Sequence, residues 1–164
     1  MSVQHSAIAD ADRHEPKGAS TAASGSVYVS DGAASGTWKW TTQTLTHLVE
    51  DLSINPYVGY IVFPFNATID KMYSVIDSAF TTADKVITLS IGGTNITNGS
   101  LTIANSGSAA GDIDSCTPTA LNIISAGTAL KITATGAAGG TGGYHGGAGT
   151  GTAANLTIQY TRTA

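Results

Sequence analysis

One cysteine, Cys116, in 164 residues leaves no possibility of a disulfide within the chain. The opening MSVQHSAIADADRHE holds no apolar run of the kind a signal peptide needs, so synthesis in a reducing cytosol is expected. Charge is also scarce. Lys and Arg number 7, Asp and Glu 11, and the formal net charge is −4. A nucleic-acid groove needs several cations gathered on one face, and the few present are scattered, so no nucleic-acid partner is expected. No stretch comes near the ~18 consecutive apolar residues of a membrane-spanning helix, and no membrane partner is expected either. Long runs of helical period are missing as well.

What the chain has instead is glycine (20), threonine and a hydrophobic share of 41%, which argues for many short strands joined by turns. From Met1 to about Gly36 small and polar residues dominate. The one compact alternation there is SVYVSDG, with Val27 and Val29 on one side of a short strand and Tyr28 on the other. One short strand cannot fold alone, so it is expected to borrow a partner from the body of its own chain or from a neighbouring molecule. Trp38 and Trp40, two apart, would share a side in a strand, with Lys39 opposite. They either cap one end of a core or anchor the segment to a partner.

Beyond Trp38 apolar runs recur at short intervals. TTQTLTHLVEDLSI fits both periods, since Leu45, Leu48, Val49 and Leu52 have helical spacing while Leu45, His47 and Val49 share one face of a strand; its threonines favour the strand. YVGYIVFPF carries Pro64, which suits an edge position or a strand end. ATIDKMYSVID, KVITLSIGG, GSLTIANSG, ALNIISAG, ALKITATG and ANLTIQYTRT follow, each bounded by turn residues. Leu130, Ile132 and Ala134 alternate against Lys131, Thr133 and Thr135, and Leu156, Ile158 and Tyr160 repeat the arrangement. One helical turn is expected at TTADK. About eight such strands predict an all-β fold, an antiparallel β-sandwich or barrel. Between the last two strands, nine of the sixteen residues Gly136–Gly151 are glycine; a mobile hairpin loop is expected there, with Tyr144 and His145 at its exposed tip.

Catalytic patterns are missing: no H-E-x-x-H, no C-x-x-C, no G-x-S-x-G, and no phosphate loop with its lysine. His5, His14, His47 and His145 lie too far apart to read as a ligand pair. Asp10, Asp12, His14 and Glu15 could gather around a hard cation, but nothing near them would fix the geometry. Cys116 has no neighbouring cation to activate it and reads as an inert, partly buried thiol. The expectation is a protein that is not an enzyme and holds no metal or cofactor.

The order of these pieces resembles a known family. HEPKGASTAASGSVYVSDGAASGTWKW, running from His14 to Trp40, is similar to the arm that opens head decoration (cement) proteins and head-fibre proteins of tailed bacteriophages. YIVFPFNATIDKMYSVIDSAFTTADKVITLSIGG, then GSLTIANSGSAAGDIDSCTPTALNIISAGTALKITATG, a glycine-rich loop and a last strand resemble the decoration-protein body. The resemblance implies an extended N-terminal arm over residues 1–37 and a β-sandwich of jelly-roll type over 38–164. It implies assembly as a homotrimer on the outer capsid surface of the virion, made in the host bacterial cytoplasm, with the major capsid protein as partner. His14, Glu15, Pro16, Lys17, Val27, Tyr28, Val29, Trp38 and Trp40 would then carry the capsid contact. Two other readings stay open: a head fibre or receptor-binding protein whose sandwich binds host-surface glycans, and a cytosolic carbohydrate-binding module or subunit of a β-rich enzyme complex.

Overall fold

The computed structural model describes residues 21–23, 25–30, 36–80, 82–136 and 152–163. Among them there are strands and turns and no α-helix. The strands are β1 (Val27–Ser30), β2 (Gly36–Lys39), β3 (Thr42–Val49), β4 (Tyr57–Val62), β5 (Ala67–Ile76), β6 (Lys85–Ile91), β7 (Thr94–Ile103), β8 (Ile113–Cys116), β9 (Ile123–Ile124), β10 (Ala129–Thr135) and β11 (Ala154–Arg162). The chain divides between Thr41 and Thr42 into an N-terminal unit and a body of residues 42–163. The boundary expected between 37 and 38 would cut through β2. That strand belongs with β1, because Trp38 stands opposite Tyr28 in the register.

The body is an all-β, antiparallel sandwich. One sheet runs β3-β11-β5-β8, with β9 pairing the other end of β5; the second runs β4-β10-β6-β7. The pairing is nested: β3 with β11, β4 with β10, β5 with β8 and β9, β6 with β7. Alternation along each strand accounts for the layering. In β10, Leu130, Ile132 and Ala134 are fully buried, and in β11 Leu156 and Ile158 are fully buried with Tyr160 close behind. With Ile87, Leu89, Ile69, Met72 and Ile76 they form one core fed by both sheets. Each such aliphatic side chain contributes roughly 1.5–3 kcal/mol of transfer free energy.

At one end of the core the rings of Phe63 and Tyr160 meet edge to face at 5.2 Å, and Phe65 stacks on Tyr160 at 5.6 Å. The Arg162 guanidinium lies 4.4 Å over Phe65, and the Tyr160 hydroxyl donates to Gln43 at 2.9 Å. The hub of this cluster thus keeps its one polar atom satisfied.

The ambiguous stretch after Trp40 is strand β3, held along β11 over eight register pairs, with Thr42, Thr44 and Thr46 exposed and Val49 buried. Pro64 lies two residues past the end of β4, and β4 is an edge strand. Three readings of the sequence are corrected. The helical turn expected at TTADK is absent from its described residues, where Thr82–Asp84 lead irregularly into β6. β10 and β11, expected as the two arms of a glycine-rich hairpin, lie in different sheets and do not pair with each other, and residues 137–151 between them lie outside the described residues. Strand β8 runs through GDIDSCTPTA, where no strand was read. Its pattern is inverted, with Ile113 turned outward at 66% exposure and Asp114 and Cys116 turned inward.

Candidate functional site

Among its described residues, the N-terminal unit holds one hairpin, β1 with β2. Its register is Val27 with Lys39, Tyr28 with Trp38, Val29 with Thr37 and Ser30 with Gly36. Within the chain, the Val27–Val29 strand pairs with β2. Tyr28 and Trp38 pack edge to face with ring centroids 5.4 Å apart. Such a pair contributes about 0.5–1.5 kcal/mol beyond its buried area, a large share for two four-residue strands. Gly36 makes this possible, because a Cβ there would meet the Val29 carbonyl oxygen and stand 2.8 Å from the Tyr28 ring. The opposite face is open: Val27 and Val29 are exposed, as are Thr37 and Lys39. Trp40 follows β2 and is half-buried, as is Trp38, while Lys39 between them is exposed.

In the body, the open side of the sandwich is formed by the edge strands β3 and β4. The His47 Nε2 to Tyr57 hydroxyl hydrogen bond, at 2.9 Å, bridges them there. Gly59 is buried beneath this pair; a Cβ on it would lie 2.8 Å from His47 Nε2 and 3.0 Å from the Tyr57 oxygen. Burial pulls the His47 imidazole below its ordinary value of 6.5. Burial, helped by the charge of Glu50, pushes the Tyr57 phenol above 10.0.

The opposite side is closed by the chain between β8 and β9. Thr97 N–H donates to the Ala120 carbonyl and Thr119 N–H to the Thr97 carbonyl, each at 3.0 Å, while Ile69 N–H donates to the Asn122 carbonyl at 2.8 Å. Leu121, held between these anchors, has a left-handed φ of 56° and a side chain 61% exposed. With Ile91, Thr94 and Ile123 it lines an apolar groove of about 420 Å³.

A smaller polar cleft of about 240 Å³ lies between the end of β7 and the start of β8, with Asp112 and Asp114 in its wall. Burial and the neighbouring Asp112 raise the Asp114 carboxyl above 3.8. The Asp112 carboxylate accepts the Ala109 N–H at 2.6 Å, so it closes its own loop. Among the described residues no three His, Cys, Asp or Glu side chains gather as metal ligands would.

Lys85 was not singled out from the sequence, yet its side chain is fully buried. Nζ donates to the carbonyls of Ile54 at 3.1 Å and Gly136 at 3.3 Å, tying the turn before β4 to the first residue of the glycine-rich segment. Burial lowers its pKa and Asp51 partly offsets this. The signal was present in KVITLSI, where Lys85 alternates onto the face of Ile87 and Leu89. Cys116 is half-buried opposite Met72, and burial pushes its thiol above 9.0, as expected of an inert group.

Of the residues expected at a contact surface, Val27, Tyr28, Val29 and Trp38 come together on the hairpin, and Trp40 follows it. His14, Glu15, Pro16 and Lys17, and the loop-tip residues Tyr144 and His145, lie outside the described residues, as do Asp10 and Asp12. No protein-family model matches the chain, and no curated protein is significantly similar to it.

Proposed function

We propose that this chain is a structural virion protein, a decoration or cement protein that binds the outer surface of a tailed-phage capsid and stabilises contacts between major capsid protein subunits. The observation that carries this reading is the division of the chain at Thr41 into a body with its own core and an N-terminal unit whose described residues hold one hairpin. A two-stranded hairpin is marginal in water and gains order from a surface to lie on. This one offers an apolar pair, Val27 and Val29, on one face and a Tyr28–Trp38 pair on the other. The nested strand order of the body, with β8 and β9 counted as one interrupted strand, supports the jelly-roll form of sandwich that the resemblance implies. The mechanism is mechanical. A clamp across neighbouring subunits raises the free energy of separating them by its own binding free energy, and many copies on a closed shell act together against the pressure of packaged DNA.

The test uses capsids assembled without this protein, mixed with the full chain or with a Tyr28→Ala/Trp38→Ala variant. The full chain is expected to co-sediment and to raise the temperature at which the shells release DNA, with the variant binding at least about tenfold more weakly, as loss of an aromatic anchor pair implies. Failure of the full chain to co-sediment would sink the reading. Binding to host-surface glycans with no change in release temperature would turn the assignment to a head fibre.

A further inference from the structure

Of the sheet edges in the body, two are guarded: β7 carries a register irregularity opposite Thr88 and Ser90 and is bridged by Ala120, and β8 and β9 are short. β3 is unguarded, but its outward side chains Thr42, Thr44 and Thr46 are polar and offer no apolar contact. β4 has none of these protections. Its outward side chains, Val58, Tyr60 and Val62, are 42%, 61% and 62% exposed, and no charge lies between Tyr57 and Val62.

Among the described residues, none takes up the backbone groups of the same three. Phe63 N–H donates to Thr128 and Phe63 C=O accepts from Gly127, so Phe63 directs both groups toward β10. Antiparallel strands alternate, and the β4–β10 register runs without a shift. Ile61, Gly59 and Tyr57 therefore bond inward to β10. Val62, Tyr60 and Val58 send their N–H and C=O groups out of the sheet.

The segment is symmetric about Tyr60. Read outward in both directions, PYVGYIVFP gives valine at two residues, an aromatic at three and proline at four. Pro56 and Pro64, which have no N–H, stop any added pairing at the same distance on each side.

From this we infer that β4 pairs with β4 of a second copy of this chain, antiparallel about a two-fold axis through Tyr60. Val58 then faces Val62 of the other copy and Tyr60 faces its own counterpart. The three residue pairs exchange six N–H···O bonds and join two four-stranded sheets into one of eight. Charge does not oppose it. Lys131 is the register partner of Tyr60, so the two copies of Lys131 stand three strand spacings apart, about 14 Å, beyond the ~8 Å screening length at physiological salt. A closed two-fold contact uses up the exposed edge and leaves nothing for a third copy to extend. Three side chains and six bonds fall well short of the ~800 Å² per partner of a standard interface, so the dissociation constant is expected on the order of 100 µM. The inference does not depend on the capsid reading.

Sedimentation equilibrium of the full chain from about 10 µM to 1 mM, a range that brackets the expected constant, should show a reversible monomer–dimer equilibrium. Amide exchange at Val58, Tyr60 and Val62 should slow as concentration rises, while exchange at Tyr57, Gly59 and Ile61 does not change. Val58→Lys/Val62→Lys sets like charges opposite each other and should weaken association at least tenfold. Val58→Lys/Val62→Glu sets each new lysine against a new glutamate of the other copy, so association should persist and become salt-sensitive. A strictly monomeric chain, a trimer that leaves those three amides open, or equal loss in both double variants would overturn the pairing. So would capture of a foreign extended peptide by an otherwise monomeric chain. The amide measurement needs no variant.

Discussion

Gly59→Ala tests how the open side of the sandwich is held. The residue is buried on β4 beneath His47 and Tyr57, and its φ is not in the left-handed region, so alanine is conformationally acceptable. Restricting the unfolded chain would by itself stabilise the protein by about 0.4–1 kcal/mol. Against this, the new Cβ would stand 2.8 Å from His47 Nε2, closer than side chains tolerate. The imidazole must swing off its rotamer, at about 0.5–1.5 kcal/mol, and give up the hydrogen bond to Tyr57, worth another 0.5–1.5 kcal/mol or so. The sum is a net destabilisation of about 1 kcal/mol. In a His47→Ala background the obstacle is gone and the Tyr57 hydroxyl is free to move aside, so the same substitution should stabilise by roughly 0.5 kcal/mol. Denaturant unfolding of the four proteins of the cycle measures the change of sign. If the two Gly59→Ala effects agree within about 0.5 kcal/mol, His47 does not sit where Gly59 leaves room for it, and the account of this edge is wrong.

Three further outcomes are expected. Because the folded-state pKa of His47 lies below 6.5, the unfolded chain takes up this proton first as pH falls. The His47 contribution to stability should therefore decline from pH 6.5 down to the folded pKa and change no further below it. The slope stays under the one-proton limit of ~1.4 kcal/mol per pH unit because the ring is half-exposed; unfolding at several pH values should show the decline in the parent and lose it in His47→Gln. Leu121→Asn should raise the melting temperature by about 2 °C, since asparagine tolerates the φ of 56° and little packing is lost from an exposed side chain; a lower melting temperature would show that Leu121 is held by its contacts. Gly36→Ala should disrupt the hairpin and leave the body intact, seen as faster amide exchange in Val27–Ser30 with unchanged exchange in β10 and β11; equal exchange in both proteins would refute the close contact with Val29 and Tyr28.

The sequence was most legible where one face of a strand is buried and the other wet. Leu130, Ile132 and Ala134 in β10, and Leu156, Ile158 and Tyr160 in β11, read directly because alternation and burial coincide. The signal failed where those two separate. β8 turns its one large apolar residue, Ile113, outward. The first half of β7 offers only Ile96 among polar residues, and ALNIISAG holds just the two-residue β9, with Leu121 and Ile123 both exposed. These pieces are held by backbone pairing to β5, β6 and Thr97, which composition does not record.

The same separation marks the surfaces with the greatest capacity for contact. Val58, Tyr60 and Val62 alternate as a buried face would and are nevertheless exposed, while Gly59 and Ile61 face inward. Val27 and Val29 do the same on the hairpin, where the inward role falls to Tyr28 and Trp38. Solvation explains the threonine on the outer face of β3, and it explains none of these apolar positions. Isolated exposed apolar residues are ordinary on a protein surface. Three in register on an unguarded sheet edge, ending at a proline on each side, form a pattern, and that pattern is complementary to itself under a two-fold rotation.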